Sequence, residues 1–460
     1  MSGIIEKLQT ILEIDGVLTG EDVGNRAAGI WNTDETQALA IVRPCNTGEV
    51  SAVLKLCFDN SQSIVAQGGR TSLTESHIST KQDIVLSLER MNQIEEVDEE
   101  GKSMTVQAGV TLQRVQEEAE QKGLSFLVDL GARGSCTIGG NVSTNAGGNR
   151  VVRYGMTRDN VLGLEAVLAD GTVITSLNKM IKNNAGYDLK QLFIGTEGTL
   201  GVVTRVVLRL RESAKSQNTA LLAINEFQDV ISFLKFIDSE LGGSLSVYEV
   251  MWQDFYTIVT TEPAKPKPPL TQQYAYYVLV ESLGGEPESD AERFAAVLMK
   301  AFEDGLLQDV VVAKSQAKRN SLWGIRNDVE QVNRFGRPFI FDVSLQLKDM
   351  QDYVETVKNS LNETWPDNHC FVFGHLADGN LHFNISVADD SAEARRSVES
   401  IVYEALSEIN GSVSAEHGVG LEKKPYLSLC RGEAEINLMK KMKLVLDPKN
   451  ILNPGKVFDL

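Results

Sequence analysis

Long apolar runs are missing from this sequence. No stretch approaches the roughly 18 consecutive apolar residues that a membrane-spanning helix requires, so no membrane span is predicted. Basic residues are also scarce relative to acidic ones: 44 Lys and Arg face 63 Asp and Glu, which gives a formal net charge of −19 at pH 7. Nucleic acids and anionic membrane surfaces require clustered positive charge, so neither is expected as the main partner.

Cysteine is scarce as well, with five residues and no C-x-x-C pair. An odd number of dispersed cysteines is typical of reduced thiols in a cytosol-like compartment, so a cytoplasmic protein is expected. The same pattern argues against a cysteine-ligated iron–sulfur cluster. The first residues, MSGIIEKLQTILEIDG, lack the basic region and the continuous apolar core of a secretory signal peptide. Their apolar residues recur at helical spacing, so an amphipathic helix of the mature protein is expected.

The chain has the length and composition of a globular protein with two or three domains, since 42% of its 460 residues are hydrophobic and 23% are charged. Residues 1–60 predict helices and connecting loops. From SIVAQGG to about residue 210, short β-branched runs such as MTVQAGV alternate with helical stretches and glycine-rich turns, which predicts an α/β or α+β domain. Residues 215–414 lose the glycine-rich texture, and their helix and strand patterns predict a second sheet covered by helices.

Three stretches of the first domain are rich in small and hydroxyl residues: AQGGRTSL (66–73), GARGSCTIGGNVSTNAGG (131–148) and GTEGTLGVV (195–203). Small residues let backbone N–H groups approach a diphosphate closely, and hydroxyl side chains add donors. None contains the G-x-G-x-x-G of a Rossmann helix or the lysine of a P-loop, so neither kind of site is expected. One such stretch is usually an ordinary tight turn, but three in one domain favour a dinucleotide site.

Two of the five histidines lie seven positions apart in FGHLADGNLHFN, residues 373–384. If the four residues ADGN form a hairpin loop, His375 lies opposite His382, with Cβ atoms about 5 Å apart on one face of the sheet. Glu416 adjoins His417 in SAEHGVG and would supply a carboxylate ligand. Two histidines and one carboxylate are typical of a catalytic divalent-metal site with open positions, and the alternative is a hydrogen-bonded pair of hairpin histidines.

Six segments together resemble the FAD-linked D-2-hydroxy acid dehydrogenases, which belong to the vanillyl-alcohol-oxidase-like flavoproteins. They are GSCTIGGNVSTNAGGNRVVRYG, VLGLEAVLADGTVI, GYDLKQLFIGTEGTLGVVT, GHLADGNLHFN, GSVSAEHGVG and LDPKNILNPGK, and they are most similar to the D-2-hydroxyglutarate dehydrogenase branch. The resemblance implies an α+β fold with a two-part FAD-binding domain over residues 1–214 and an antiparallel-sheet substrate cap domain over residues 215–414. It also implies a C-terminal segment, residues 415–460, that completes the active site and packs on the FAD domain.

The resemblance implies non-covalent FAD. Some members of the superfamily attach FAD covalently through a histidine in the first loop, but Arg70 stands at the centre of that loop here and His77 lies beyond it. Arg70 and Ser72 depart from the smaller residues that are usual in this loop. The positions that match cofactor contacts are Gln67, Gly68, Gly69, Arg70, Thr71, Ser72, Gly131, Ser135, Gly140, Asn141, Ser143, Thr144, Ala146, Gly148, Val202 and Asn453.

The resemblance also implies that His375, His382 and Glu416 hold a divalent metal, with zinc as the favoured ion. A cation that chelates the hydroxyl and a carboxylate oxygen of a 2-hydroxy acid lowers the pKa of the hydroxyl and favours departure of the C2 hydrogen as hydride, here to flavin N5. His417 is the candidate catalytic base, with support of the metal site as its alternative role. Asn384 shares the strand face of His382 and is a candidate substrate contact or a structural amide.

The segment SLWGIRNDVEQVNRFG, residues 321–336, predicts one helix with Arg326 at the margin of its apolar face. A marginal arginine is usually a surface ion pair, but the arginine of the LW-x-x-R motif binds the substrate carboxylate in relatives, and a guanidinium suits that task. One departure bears on the substrate. D-2-hydroxyglutarate enzymes tend to carry a threonine and a lysine where Glu330 and either Ile340 or Phe341 stand here, which keeps D-lactate and other D-2-hydroxy acids open.

These features predict an FAD- and divalent-metal-dependent dehydrogenase of a D-2-hydroxy acid, with D-2-hydroxyglutarate as the first choice and 2-oxoglutarate as its product. No nicotinamide motif is present, so the electrons are expected to pass to a separate acceptor, an electron-transferring flavoprotein or a quinone-linked carrier. The alternatives are a D-lactate dehydrogenase of the same family, a flavin oxidase that reduces oxygen, a metal-dependent hydrolase and a non-catalytic subunit of a larger complex. Relatives are often dimers, so a homodimer is one expected assembly.

Overall fold

The structure is a computed structural model that describes residues 2–30 and 32–460. The chain forms two compact units. The first unit contains the chain up to Gly147 together with Gly155–Ser213 and Glu416–Leu460, and the second contains Gly148–Tyr154 and Ala214–Ala415. The short segment Gly148–Tyr154 therefore belongs to the second unit, although the sequence analysis placed it within the first domain.

The helices and strands are numbered in chain order over the described residues. The α-helices are α1 (Ser2–Leu12), α2 (Glu21–Gly24), α3 (Thr47–Asp59), α4 (Leu112–Gln121), α5 (Ile138–Thr144), α6 (Val151–Tyr154), α7 (Phe227–Leu241), α8 (Gln253–Thr260), α9 (Pro287–Glu303), α10 (Gln316–Asn327), α11 (Met350–Thr364), α12 (Ala392–Ser407), α13 (Leu427–Cys430) and α14 (Glu433–Leu446). The strands are β1 (Val17–Leu18), β2 (Ala40–Val42), β3 (Ile64–Gln67), β4 (Ile84–Ser87), β5 (Ile94–Asp98), β6 (Ser103–Gln107), β7 (Leu124–Ser125), β8 (Val161–Val167), β9 (Val173–Ser176), β10 (Val202–Arg209), β11 (Arg211–Glu212), β12 (Ser216–Ile224), β13 (Leu245–Trp252), β14 (Tyr276–Gly284), β15 (Asp309–Val312), β16 (Phe339–Ser344), β17 (His369–His375) and β18 (Asn380–Ser386).

The first unit contains a four-stranded sheet in the order β1-β2-β4-β3, in which β4 runs parallel to both β2 and β3. The parallel strands are short runs of apolar residues that are almost wholly buried, as is typical when both faces of a sheet are covered. The amphipathic helices α1 and α3 pack on this sheet through residues such as Leu8, Val50 and Leu54. The N-terminal helix predicted from apolar spacing is therefore confirmed for α1.

A second sheet of the first unit is antiparallel, with five strands in the order β5-β6-β10-β8-β9. Helix α4 presents Leu112, Val115 and Ala119 to its core at helical spacing. Helix α5, which contains part of the second glycine-rich stretch, presents Ile138 and Val142 to the same core. Apart from Gly148, the three glycine-rich stretches lie in the first unit, in or next to the strands and helices of these two sheets.

The second unit is built on a seven-stranded antiparallel sheet in the order β15-β12-β14-β13-β17-β18-β16. Helix α7 is one of the helices that cover this sheet, and its buried residues recur every three or four positions, as expected for a helix with one apolar face. Gly242 ends the helix in the left-handed conformation, with φ of 58°. The predicted α+β class, with an antiparallel second sheet, is confirmed. In the part of the chain that the structure describes, no helix has both the length and the apolar character needed to cross a bilayer.

The single helix predicted over residues 321–336 is wrong. Helix α10 ends at Asn327, Asp328 leaves the helical conformation, and a 3-10 segment follows over Val329–Phe335. In that segment the Arg334 side chain donates hydrogen bonds to backbone carbonyls of helix α8 and the residue after it, at 2.9 and 3.0 Å. These tertiary hydrogen bonds hold the segment away from the helix axis, and a periodicity argument cannot include them.

Candidate active site

The two hairpin histidines lie on one face of the second unit's sheet, but not directly opposite each other. His382 of β18 pairs with Phe373 of β17, whereas His375 lies at the end of β17 and pairs with Glu249 of β13. The predicted pairing of His375 with His382 is therefore wrong by two residues. Because side chains alternate with a period of two, a two-residue shift keeps both imidazoles on the same face, and their ring centroids are 5.3 Å apart.

Glu416 directly follows Ala415, the last residue of the second unit. The backbone N–H of Ala415 donates to Oδ2 of the fully buried Asp342 at 2.9 Å, which fixes the start of this segment beside β16. One potential ligand atom from each of His375, His382 and Glu416 lies within 4.8 Å of the other two. Two nitrogen donors and one carboxylate oxygen, with both histidines buried, fit the donor preferences of a divalent ion such as zinc.

Arg326 lies deeper than its predicted marginal position, with 7% of its surface exposed. Its Nε donates to Oε2 of Glu249 at 2.7 Å, and its guanidinium carbon lies 4.7 Å from the ring centroid of Phe373. Within the described part of the chain, its two terminal nitrogens have no hydrogen-bond partner. A buried guanidinium held at Nε in this way presents its terminal fork for a carboxylate.

Glu249 is the residue of this site that sequence reasoning missed. Its carboxylate is fully buried on β13, where it contacts both Arg326 and Nδ1 of His375. Burial alone would raise the pKa of Glu249, but the charges and hydrogen bonds of Arg326 and His375 outweigh burial and lower the pKa below its ordinary value. The available sequence cue was a single acidic residue inside the otherwise uncharged run SLSVYEVMW.

The other two candidates for contact with the substrate lie on different elements. Asn384 is 2% exposed on β18, two positions after His382 and therefore on the same strand face. His417 belongs to the first unit, where Thr74 Oγ1 donates to its backbone carbonyl at 3.2 Å. The roles assigned to both residues stay predictions.

Two of the glycine-rich stretches meet in the first unit. A Cβ atom added to Gly69 would lie 1.9 Å from the carbonyl oxygen of Ser135, and one added to Gly68 would lie 2.3 Å from Oγ1 of Thr137. Thr137 Oγ1 is buried and has no hydrogen-bond partner within the described residues, and a Cβ at Gly140 would contact it at 3.4 Å. This junction of two glycine loops around an unpaired hydroxyl suits a phosphate oxygen, and Thr137 was not among the predicted residues.

The third glycine-rich stretch and the C-terminal turn join the same region of the first unit. The backbone N–H of Glu197 donates to the carbonyl of Ser143 at 2.8 Å. The Asn453 side chain accepts from the backbone N–H of Ala66 at 2.8 Å and donates to the carbonyl of Glu197 at 2.5 Å. Val202 begins β10 next to this turn and is 2% exposed. Asn453 therefore ties the end of β3 to the Glu197 turn.

Other predicted cofactor residues differ in how their positions relate to these loops. Asn141, Thr144 and Ala146 lie in or directly after α5 and belong to the region of the glycine loops. Gly131, by contrast, is exposed, and a Cβ added there would meet no atom within 4 Å, so no local packing requires glycine. Gln67 donates from Nε2 to the His77 carbonyl at 2.8 Å, which closes the first loop on itself.

Comparison with known proteins identifies two matching families. The family described as "FAD binding domain" matches residues 38–176, and the one described as "FAD linked oxidases, C-terminal domain" matches residues 213–457, more than half of the chain. The D-2-hydroxyglutarate dehydrogenase of Xanthomonas citri pv. viticola is 37% identical over 426 residues, which cover 92% of this chain and 89% of that relative. The chain belongs to the FAD-linked D-2-hydroxy acid dehydrogenase family. The predicted family is confirmed, and the member described here is an FAD-dependent dehydrogenase.

Other relatives extend across kingdoms. The mitochondrial D-2-hydroxyglutarate dehydrogenase of Bos taurus is 38% identical over 418 residues, 91% of this chain and 76% of that protein. A D-2-hydroxyglutarate–pyruvate transhydrogenase of Saccharomyces cerevisiae is 37% identical over 429 residues, 91% of this chain and 86% of that protein. A solved p-cresol methylhydroxylase has the same fold, with a TM-score of 0.77 at 16% identity over 100% of this chain and 97% of that one. The vanillyl-alcohol-oxidase-type fold predicted from the sequence is confirmed.

The cytoplasmic location predicted from the cysteine pattern is wrong on this comparison. The related D-2-hydroxyglutarate dehydrogenases of Bos taurus, Rattus norvegicus and Arabidopsis thaliana are all named mitochondrial. The prediction depended on an odd number of dispersed cysteines, and that pattern does not distinguish between compartments.

Proposed function

We propose that this dehydrogenase oxidises D-2-hydroxyglutarate to 2-oxoglutarate, with FAD and a divalent metal as its cofactors. The substrate assignment is supported by the names of relatives that are 35–38% identical over most of the chain. The observation that carries the chemistry is that Arg326 and His375 contact the same buried carboxylate, that of Glu249. The terminal nitrogens of the buried Arg326 have no hydrogen-bond partner in the described structure, and His375 lies beside His382. The two family matches leave the metal-hydrolase alternative without support.

Each polar group of the site has one task in this proposal. When bound, FAD would supply the acceptor, at N5, for the C2 hydrogen as a hydride, and a divalent metal held by the two histidines and Glu416 would polarise the substrate hydroxyl. Arg326 binds the substrate carboxylate through its terminal nitrogens, while Glu249 holds its Nε. Asn384 orients the substrate from the strand face of His382, and His417 accepts the hydroxyl proton at a ring nitrogen.

The residues proposed to hold the two cofactors are separate sets. His375, His382 and Glu416 would bind the metal, with zinc as first choice. The backbone around Gly68, Gly69 and Gly140, with the hydroxyl of Thr137, would hold the diphosphate of FAD. The electrons would then pass to a separate carrier protein, an electron-transferring flavoprotein or a quinone-linked carrier.

The decisive measurement is the visible spectrum of the flavin under anaerobic conditions. We expect D-2-hydroxyglutarate to bleach the flavin band, L-2-hydroxyglutarate to leave it unchanged, and removal of metal by a chelator to slow the bleaching until zinc is restored. D-lactate is the second candidate substrate, because Glu330 stands where the branch carries threonine and is exposed on the 3-10 segment. Bleaching by D-lactate but not by D-2-hydroxyglutarate would select that alternative, and full bleaching without metal would contradict the metal's role.

The role of Arg326 can be separated from a general effect of substitution on α10. The Arg326→Lys variant keeps the charge and loses the fork, so we expect the KM for D-2-hydroxyglutarate to rise about 10- to 100-fold, which is the loss of a charge-assisted hydrogen bond. Arg319→Lys is the matched control, since Arg319 lies on the same helix and binds Gln217. An equal KM in both variants would contradict the assignment.

A further inference from the structure

Both oxygens of the Glu249 carboxylate are occupied by groups of the proposed site. Every residue of β13 is buried, and Glu249 lies between Leu279 of β14 and His375 of β17. Its Oε2 accepts from Nε of Arg326 at 2.7 Å, and its Oε1 contacts Nδ1 of His375. A fully buried carboxylate beside a permanently charged guanidinium stays ionised, so it acts only as an acceptor.

This geometry determines which nitrogen of His375 carries the proton. An imidazolium carries a proton on both ring nitrogens and binds no cation, so the tautomer concerns the neutral, metal-binding form of His375. This form has one N–H, and Nδ1 must carry it in order to donate to an ionised carboxylate. The lone pair is then on Nε2, which is the only ring nitrogen left to bind a cation. We propose that Glu249 is a positioning residue that fixes His375 in the Nδ1–H tautomer and, with its second oxygen, aims the fork of Arg326. This inference rests on the proposed metal site.

Because Glu249 contacts both Arg326 and His375, the binding of the metal and the binding of the substrate carboxylate depend on this one residue. Glu249 holds Arg326 by Nε alone, and the terminal nitrogens remain for the substrate. Loss of the Glu249 carboxylate would therefore weaken the binding of both the metal and the substrate carboxylate. Loss of Arg326 or of His375 would weaken the binding of only one of them. Glu249 therefore contacts both Arg326 and His375 through one side chain.

The Glu249→Gln variant tests the tautomer with almost no change of volume. Its amide oxygen would accept from Nε of Arg326, which leaves the NH2 group facing Nδ1 of His375. That NH2 group needs an acceptor, so the proton of His375 must move to Nε2 and block the metal-binding lone pair. We expect the zinc affinity to fall about 10- to 100-fold or more, measured by calorimetry on the FAD-loaded, metal-free enzyme.

The tautomer itself can be read without metal or turnover. The chain has five histidines, so ¹⁵N-histidine labelling gives few ring signals, and a His375→Gln variant assigns those of His375. We expect the Nδ1–H tautomer in the metal-free wild-type enzyme and the Nε2–H tautomer in Glu249→Gln. The Nε2–H tautomer in the wild type would overturn the inference.

Glu281→Gln is the matched control for loss of a buried carboxylate. Glu281 is also fully buried, on the neighbouring strand β14, and it binds Arg150, Thr219 and Trp323 instead. We expect this variant to lose stability yet to keep the His375 tautomer and the zinc affinity. Equal losses of zinc affinity in the two variants would overturn the role of Glu249.

The effect of Glu249 on Arg326 can be measured separately, as the affinity of the metal-free enzyme for the product. The product 2-oxoglutarate is titrated while the flavin absorbance is followed, and we expect Glu249→Gln to weaken its binding about tenfold. Wild-type affinity for 2-oxoglutarate in Glu249→Gln would overturn the second half of the inference. A wild-type enzyme that binds no zinc would instead contradict the proposed function, so the two failures are distinguishable.

Discussion

His77 is an ionisable residue held nearly out of water, with 8% of its surface exposed. Burial is the largest cause that lowers its pKa, the nearby charges of Lys456 and Arg70 add to it, and together they bring the pKa of His77 to about 4. A histidine whose protonated form is disfavoured in the fold stabilises the protein fully above the unfolded pKa, near 6.5, and loses that stabilisation as the pH falls towards 4. His77 should therefore contribute to acid sensitivity.

We predict that wild-type stability falls by about 2 kcal/mol more than that of a His77→Gln variant between pH 7.5 and pH 5. The measurement is urea unfolding of the holoenzyme followed by tryptophan fluorescence at both pH values. His369→Gln is the control, because His369 is exposed. Parallel pH dependence of wild type and His77→Gln would show that His77 is not the source of the sensitivity.

The residues of the candidate metal site were predictable because histidine is rare in this chain and three of its five copies fall in two short motifs. Glu249 was not predictable in the same way. One acidic residue on a strand tells nothing about its partners, which lie 77 and 126 positions away in the chain. A buried charge inside an apolar strand must be paired, so the sequence indicates that Glu249 has a partner. It does not indicate which residues those partners are.

At the level of elements, the β17–β18 hairpin was predicted correctly as a hairpin but with the wrong strand register. Counting four loop residues assumed that the strands pair up to the loop, but residues 376–378 form a 3-10 turn, and Gly379 follows with φ of 85°. Because the register shift is two residues, the two histidines still lie on the same face of the sheet, as predicted. An odd shift would have placed the two histidines on opposite faces, which loop counting alone cannot exclude.

The turn around Glu197 fixes the loop that follows His417 within the first unit. Glu197 is 6% exposed, and its carboxylate accepts from the backbone N–H groups of Val419 and Gly420 at 2.7 and 2.9 Å. A Cβ at Gly418 would lie 2.8 Å from the same carboxylate. Two backbone donors on one buried carboxylate hold the main chain directly after the proposed base.

We predict that Glu197→Gln lowers kcat roughly 10- to 100-fold with little change in KM or FAD content. The two backbone N–H groups donate to different carboxylate oxygens, and the NH2 group that replaces one of these oxygens cannot accept, so the loop next to His417 loses its position. Steady-state kinetics and the flavin absorbance measure the three quantities. Glu165→Gln is the matched control, since Glu165 is equally buried in the first unit but binds Thr47 and Thr204. A lower FAD content with unchanged kcat per flavin would contradict a role for Glu197 in positioning His417.

For the whole molecule, the net charge of −19 governs encounters with electron acceptors. Charges on a protein surface attract or repel small ions over about one Debye length, near 10 Å at 0.1 M salt. We predict that reoxidation of the reduced flavin by the anion ferricyanide becomes faster as salt rises from about 10 to 300 mM. Reoxidation by the phenazine methosulfate cation should become slower. A neutral soluble quinone is the control, and identical salt dependence with both ions would contradict the prediction.

The overall architecture was largely predictable, since long helices such as α7 and α11 carry strong apolar periodicity and the strands alternate with them. The segment Gly148–Tyr154 was not predictable. Its place in the second unit depends on Arg150, which donates to Glu281 at 3.1 Å, and on Arg153, which donates to backbone carbonyls of Ser244 and Leu283. These contacts are 91 to 131 positions apart in the chain, beyond the reach of local patterns.

The tie between β3 and the C-terminal turn also has a consequence for biosynthesis. Strand β3 forms one edge of its sheet, and its exposed side is completed by Ile451 and Asn453. Ala66 and its partner Asn453 are 387 residues apart, so a ribosome that adds 5–20 residues per second needs roughly 20–80 s between them. During that interval the nascent chain carries an open strand edge beside the first cofactor loop. FAD capture is therefore expected to follow translation, and chaperones that shield open strand edges should influence the yield of active enzyme.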